Sequence, residues 1–178
     1  DVVSYDAALE AADNVLADDL PADGKTNVFY TSGTTSRPKA VAFDGEQMWV
    51  GAYQGVMEHG IDQTDVAIVT TPWYHMVTSD AWLYPHWLAG ATTFLHSDFD
   101  PEEVLTYVDE YDATGLLAVP TQLSLLNDVQ ANADDPYDTG SLSYIRTGGS
   151  VVTETLVERT SKYLSENLYN TYGMTEGG

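Results

Sequence analysis

Apolar positions along the chain fall into short runs of β-branched or aromatic residues separated by amphipathic stretches, the pattern of βαβ units. Residues 27–31 (NVFYT) predict a buried strand that runs into a Gly/Ser/Thr loop, and residues 40–43 (AVAF) a strand that leaves it. A helix follows over 46–59, with Trp49, Ala52, Tyr53 and Val56 at helical spacing and Gly60 ending it. The run 66–70 (VAIVT) reads as the next strand, closed by Pro72. A second helix is expected from Ser79 to Ala89 with a kink at Pro85, then Gly90 and a strand at 92–95.

Asp100-Pro101-Glu102-Glu103 starts a helix by its chemistry: a side-chain acceptor, a proline where no amide donor is needed, and a Glu at the third position. That helix should reach Tyr111, with a strand at 115–119, a turn at Pro120 and a helix over 122–131. Residues 132–141 form a loop by their turn residues. A short strand at 144–147, a helix capped by Thr153 and reaching Leu164, and a last strand and turn at 167–173 complete the reading. The expectation is a layered α/β/α fold with a mostly parallel sheet. No repeat, linker or low-complexity segment interrupts it.

A length of 178 residues suits one domain with a proper core, and 43% apolar residues keep the chain in the globular class despite its charge. No apolar run approaches a membrane span, and no basic start precedes an apolar stretch, so the sequence predicts a soluble cytoplasmic protein. With no cysteine, disulfides and thiolate metal sites are excluded. The formal charge of −22 makes nucleic acid and anionic lipid poor partners. Two readings of the acidity stand: adaptation to a salt-rich cytoplasm, or a patch for a basic partner. Carboxylates scattered in pairs such as Asp18-Asp19, Glu102-Glu103 and Asp134-Asp135 favour the first.

Only six residues are basic, and Arg37 and Lys39 both lie in the stretch YTSGTTSRPKAV, residues 30–41. Glycine lets backbone approach a ligand, the amides and hydroxyls of Thr31, Ser32, Thr34 and Thr35 can donate to phosphate oxygens, and Lys39 adds a point charge. The spacing after Gly33 is not that of a Walker loop, and such a stretch can also be a plain surface turn.

The stretch resembles the phosphate-binding signature of the adenylate-forming superfamily, which holds acyl-CoA synthetases, peptide-synthetase adenylation domains and luciferases. Ser36 and Ala40 stand where that pattern has glycine, which predicts a stiffer loop. The resemblance continues in order. TPWYHMVTSDAWLYPHWLAGATTFL (71–95) is similar to the segment that opens the acyl pocket and puts His75 there, beside Trp73 and Tyr74. Trp82, Tyr84 and Trp87 read as core, and His59, His86 and His96 as structural or surface residues. RTGGSVV (146–152) is similar to the family's Gly-Gly element, and YNTYGMTE (169–176) to its adenine and magnesium motif.

The resemblance implies that Thr31, Ser32, Gly33, Thr34, Thr35 and Lys39 bind ATP phosphates, and that Gly149, Ser150, Asn170, Thr171 and Tyr172 hold adenine. It implies an acyl pocket at His75, Gly148 and Gly173, with Thr175 on the α-phosphate and Glu176 on Mg²⁺; Lys39, Thr175 and Glu176 are the implied catalytic set. The expected activity is ATP-dependent adenylation of a fatty or aromatic acid followed by thioester formation with CoA. A carrier-protein-loading adenylation domain and a non-catalytic nucleotide-binding or interaction module are the alternatives. All 178 residues are expected to be one piece of the large AMP-binding domain, without the small C-terminal domain and inactive alone. Homodimer formation is left open.

Overall fold

A computed structural model describes residues 4–11, 24–32 and 37–177. Five parallel strands form the central sheet in the order β4-β3-β5-β6-β7: β3 (Val66–Val69), β4 (Thr92–Leu95), β5 (Gly115–Leu117), β6 (Tyr144–Gly148) and β7 (Leu168–Thr171). Apart from it, β1 (Lys25–Thr31) and β2 (Lys39–Asp44) pair antiparallel as a two-stranded ribbon. A short helix not anticipated from the sequence, α1 (Tyr5–Ala11), precedes the ribbon.

The connections explain the layers. From β3 the chain passes through α3 (Met76–Thr78), a π-helical turn (Ser79–Leu83) and α4 (Tyr84–Ala89) into β4 at the edge. It then returns through α5 (Pro101–Glu110) to β5 on the other side of β3, and continues through α6 (Pro120–Asn132) to β6 and α7 (Glu154–Tyr163) to β7. Reversing direction at β3 while crossovers keep their hand sends helices to both faces. Ile68, Leu116 and Ile145 face Val104, Leu105, Val108, Leu123, Leu126 and Leu156 in one core. Val69, Leu117 and Tyr144 face Trp82 and Leu83 in the other. Each fully buried Leu, Ile or Val side chain stabilises this packing by about 1.5–3 kcal/mol.

Local chemistry sets the helix ends, at Gly60, Asp100 and Thr153 as the sequence predicts and at Asp44 by a capping box that it does not. Before α2 (Gly45–His59), the Asp44 side chain accepts from the Gln47 amide at 2.8 Å while Gln47 accepts from the Asp44 amide at 3.1 Å, and Gly60 ends the helix at φ 64°. Asp100 accepts from Glu102 and Glu103 at the head of α5, and Thr153 from Leu156 at the head of α7.

Five expectations need correction. The strand at 27–31 is not buried through its length: it is half of the ribbon, with Phe29 inside but Val28 and Tyr30 exposed. In α2 the aromatic positions Trp49 and Tyr53 face outward, and Met48, Ala52 and Gly55 are buried, because Gly55 lies against Pro85 so closely that a Cβ would come within 2.5 Å of it. The expected single kinked helix at 79–89 is instead a π turn running into α4, with Pro85 in the first turn of α4, where its missing donor costs nothing. Trp82 is core as expected and Tyr84 partly so, whereas Trp87 is half exposed and donates to the Thr93 hydroxyl at 3.0 Å. Pro120 opens α6 rather than preceding it.

The ribbon is tied to the rest by Phe29, Phe43 and Met48, with Val41, Met76 and Tyr84 packed around them, and by the Tyr84 hydroxyl, which donates to Asn27 Oδ1 at 3.3 Å.

Candidate functional site

Parallel strands bring all their carboxyl ends to one edge of the sheet, and ligands of open α/β sheets bind there, where the strand order reverses. Here that reversal lies between β3 and β5. Gln122, in the first turn of α6, pins it: its Nε2 donates to the Thr70 carbonyl at 2.9 Å, and its Oε1 accepts from the Thr70 hydroxyl at 2.9 Å and the Val119 amide at 3.1 Å. Thr70 is doubly engaged, its hydroxyl also contacting the Leu117 carbonyl at 2.8 Å. The Thr71 and Thr78 hydroxyls meet at 2.7 Å and fasten the turn that carries His75.

At the next two strand ends the spacing is tight. Gly148 closes β6 beside Thr171 of β7, so close that a Cβ on Gly148 would stand 2.3 Å from the Thr171 carbonyl oxygen. Gly149 has φ +78°, the left-handed region, with open space where a side chain would go. The two glycines are therefore needed for different reasons, one for space and one for backbone angle. Thr171 also donates through its hydroxyl to the Thr147 carbonyl at 3.1 Å, locking β7 to β6.

Five residues expected around adenine are thus brought together: Gly149 and Ser150 follow β6, while Asn170, Thr171 and Tyr172 end and follow the adjacent β7. Tyr172 is 97% exposed, a ring with both faces open to stack on a planar ligand. Gly173 follows it, and Thr175 and Glu176 sit on a 3₁₀ turn (Thr175–Gly177) just beyond. His75 caps the start of α3 after β3, exposed beside Trp73 and Tyr74, with the Tyr74 ring centroid 5.0 Å from its own. It shares the sheet edge with Gly148.

Of the residues expected to bind phosphate, Thr31 and Lys39 belong to the ribbon. Thr31 ends β1 and is paired across the ladder with Lys39, which starts β2, so the loop enters and leaves at one point. Ser32 and Lys39 are exposed. Gly33, Thr34, Thr35 and Ser36 lie outside the described residues. Among the described residues neither Lys39 nor Glu176 forms an ion pair, and no group of three or more His, Cys, Asp or Glu side chains gathers to hold a metal. Glu176 would therefore give one exposed carboxylate to a cation completed by phosphate oxygens and water, which suits Mg²⁺.

Histidines 59, 86 and 96 have buried side chains and structural roles. His86 Nδ1 lies 2.6 Å from the Trp82 carbonyl, which can only accept, so that nitrogen carries the proton and Nε2 accepts from the Tyr144 hydroxyl at 2.7 Å. Burial holds His86 below the ordinary histidine range. Sequence reasoning missed Asp80 and Arg146, both in the layer between α2 and the sheet. The available signal was a basic residue in an apolar strand two positions before Gly148.

Residues 3–178 match the family model described as AMP-binding enzyme. The chain is 35% identical over 177 residues to feruloyl-CoA synthase of Amycolatopsis sp, covering 94% of this chain and 34% of that protein. It is 29% identical to indoleacetate–CoA ligase of Aromatoleum aromaticum, covering 98% and 34%. Among solved structures it is similar to ATP-bound MatB from Rhodopseudomonas palustris, with a TM-score of 0.77 at 26% identity over 96% of this chain and 33% of that one. It is also similar to o-succinylbenzoate CoA synthetase from Bacillus subtilis in complex with ATP and magnesium, with a TM-score of 0.74 at 27% identity over 88% and 31%. The chain spans about a third of the length of the curated relatives it matches.

Proposed function

Since the chain belongs to the AMP-binding enzyme family, we propose that the full-length protein containing it is an acid–CoA ligase that activates a carboxylic acid with ATP. A carboxylate oxygen attacks the α-phosphorus, the bond from that phosphorus to the bridging oxygen breaks, and pyrophosphate leaves with the electron pair. The CoA thiol, losing its proton, then attacks the acyl carbon and AMP departs. The chain is one part of the large AMP-binding domain in this reading.

The observation that carries the proposal is the meeting of Gly148 and Thr171 at adjacent strand ends, because it sets two nucleotide-facing segments side by side on rigid elements. Tyr172 stacks on adenine against Gly149 and Ser150, with Asn170 and Thr171 at its edge. Thr175 donates to the α-phosphate, and Glu176 holds Mg²⁺, which neutralises phosphate charge when bound. Thr31, Ser32, Gly33, Thr34, Thr35 and Lys39 receive the β- and γ-phosphates. In a chain of net charge −22, Lys39 is the local correction without which a polyphosphate would be repelled. His75, Gly148 and Gly173 line the acid site. The feruloyl, indoleacetate and succinylbenzoate relatives support an aromatic acid over a fatty one. The dispersed acidic surface is an adaptation to a salt-rich cytoplasm.

Acid-dependent ATP–pyrophosphate exchange by the full-length protein in molar KCl, across short, long and aromatic acids, tests this. Exchange with an aromatic acid that is lost in Lys39→Ala and Glu176→Ala is expected. No exchange with any acid from a folded protein overturns it.

A further inference from the structure

The ladder on β3 ends at Val69, which pairs with Leu95 on one side and Leu117 on the other, so the carbonyl of Thr70 lies past the last rung. A side chain answers it instead. Gln122 Nε2 donates to that carbonyl at 2.9 Å, while Oε1 accepts from the Val119 amide at 3.1 Å and the Thr70 hydroxyl at 2.9 Å. A carbonyl only accepts and an amide N–H only donates, which fixes the orientation of the Gln122 amide.

Beyond Thr70 the chain is bonded to itself. The Thr71 and Thr78 hydroxyls meet at 2.7 Å, and the His75 amide donates to the Pro72 carbonyl at 3.1 Å. The His75 carbonyl accepts from the amides of Thr78 and Ser79 at 3.0 Å and from the Ser79 hydroxyl at 3.1 Å. These bonds give residues 71–79 their shape. Their placement against α6 passes through Thr70 to Gln122.

The topology makes that placement matter. From β3 the chain leaves toward the core that holds Trp82 and Leu83, and from β5 toward the core that holds Leu123 and Leu126, so a crevice opens between the two connections. Gln122 spans it from a rigid base, since Leu123 and Leu126 of the same helix are fully buried. Capping α6 would need only the acceptor, Oε1 on the Val119 amide. The donor, aimed at the end of another strand, is surplus to that role.

We propose that Gln122 is a positioning residue for acid activation: it holds the His75 segment at a set distance from α6, and so fixes how the acid carboxylate meets ATP. This rests on the acid-activating function proposed above.

The test is pyrophosphate exchange by the full-length protein, with KM measured separately for acid and ATP, in wild type, Gln122→Leu and Gln122→Glu. The glutamate variant keeps an acceptor for the Val119 amide and loses only the donor to Thr70, so it separates the cap from the clamp. Its melting temperature should stay near that of wild type, which also guards against a Gln122→Leu protein that fails to fold. In both variants kcat/KM for the acid should fall by about ten- to a hundred-fold, the cost of misplacing a reactant by about 1 Å, with KM for ATP unchanged. Wild-type kinetics in Gln122→Glu, or equal losses for acid and ATP, overturn the proposal while leaving adenylation intact. Should no acid support exchange by wild type, adenylation fails and calorimetric binding of the same acids decides the positioning role. Acid binding weakened in Gln122→Glu with ATP binding unchanged supports it; unchanged or absent acid binding overturns it.

Discussion

Replacing Gly148 by alanine should test the geometry of the strand ends more directly than any assay of activity. The added Cβ would meet the Thr171 carbonyl oxygen at 2.3 Å and the Thr171 hydroxyl at 3.2 Å. An ordinary contact needs roughly 1 Å more, and the obstacle is backbone, held by the β6–β7 ladder and by the Thr171 hydroxyl bond to Thr147. Overpacking of this kind costs about 1–3 kcal/mol, and the upper part of that range applies because no rotamer change relieves it. At roughly 2–4 °C per kcal/mol for a chain of this size, thermal unfolding should move down by about 5–10 °C.

Two controls separate the causes. Thr171→Ala removes the farther contact and the hydroxyl bond to Thr147 but leaves the carbonyl oxygen on the β6–β7 ladder, so it should not fully rescue Gly148→Ala. Gly149→Ala meets no atom within 4 Å but is held at φ +78°, so it should cost about 1–2 kcal/mol, and Gly149→Asn less, since Asn tolerates that region. Circular dichroism melts of the five proteins are sufficient. A Gly148→Ala variant as stable as wild type, or one rescued fully by Thr171→Ala, would refute the reasoning.

Three further outcomes follow from the same structure. Gln122→Leu keeps the volume but strands the Thr70 carbonyl and the Val119 amide, and should cost about 2 kcal/mol by denaturant unfolding; a loss below about 0.5 kcal/mol would contradict the clamp. His86 is held neutral below its unfolded value of about 6.5, so below that pH the unfolded chain binds a proton that the folded chain refuses, and stability falls. The melting temperature of wild type should therefore drop more steeply between pH 7 and 5 than that of His86→Gln, and parallel slopes would rule this out. With a charge of −22, raising KCl from 0.1 to 1 M shortens the screening length from about 10 to 3 Å and should raise the melting temperature by several degrees; a flat response would count against the high-salt reading.

What was legible in the sequence is what local chemistry decides. Asp100-Pro101 and Thr153 cap helices wherever the chain takes them, and runs such as 66–69 and 115–117 are apolar on both faces because helices cover both. The candidate nucleotide residues were legible as motifs, and the two halves at Gly148 and Thr171 do meet in the fold. The face of α2 was not legible, since close packing against Pro85 selects small residues, and a pattern weighted by hydrophobicity points to Trp49 and Tyr53 instead. Nor was the π turn, whose register depends on partners far away in sequence, such as Arg146 reaching Ala81 across 65 positions.

Under the proposed function, the fold divides the work of binding between two kinds of support. The sheet edge offers fixed positions, because Gly148, Thr171 and Gln122 are held by backbone contacts and by hydrogen bonds at 2.9–3.1 Å. A planar base and an acid need such fixed walls, since their recognition depends on shape and alignment. The ribbon offers reach: Thr31 and Lys39 start and finish a loop anchored at one rung, with Lys39 exposed at its exit. A polyphosphate needs charge more than shape, because Coulomb attraction is non-directional whereas stacking depends on alignment. Under the proposed function, Lys39 on the ribbon and Tyr172 on the sheet edge match the chemistry of the two halves of a nucleotide.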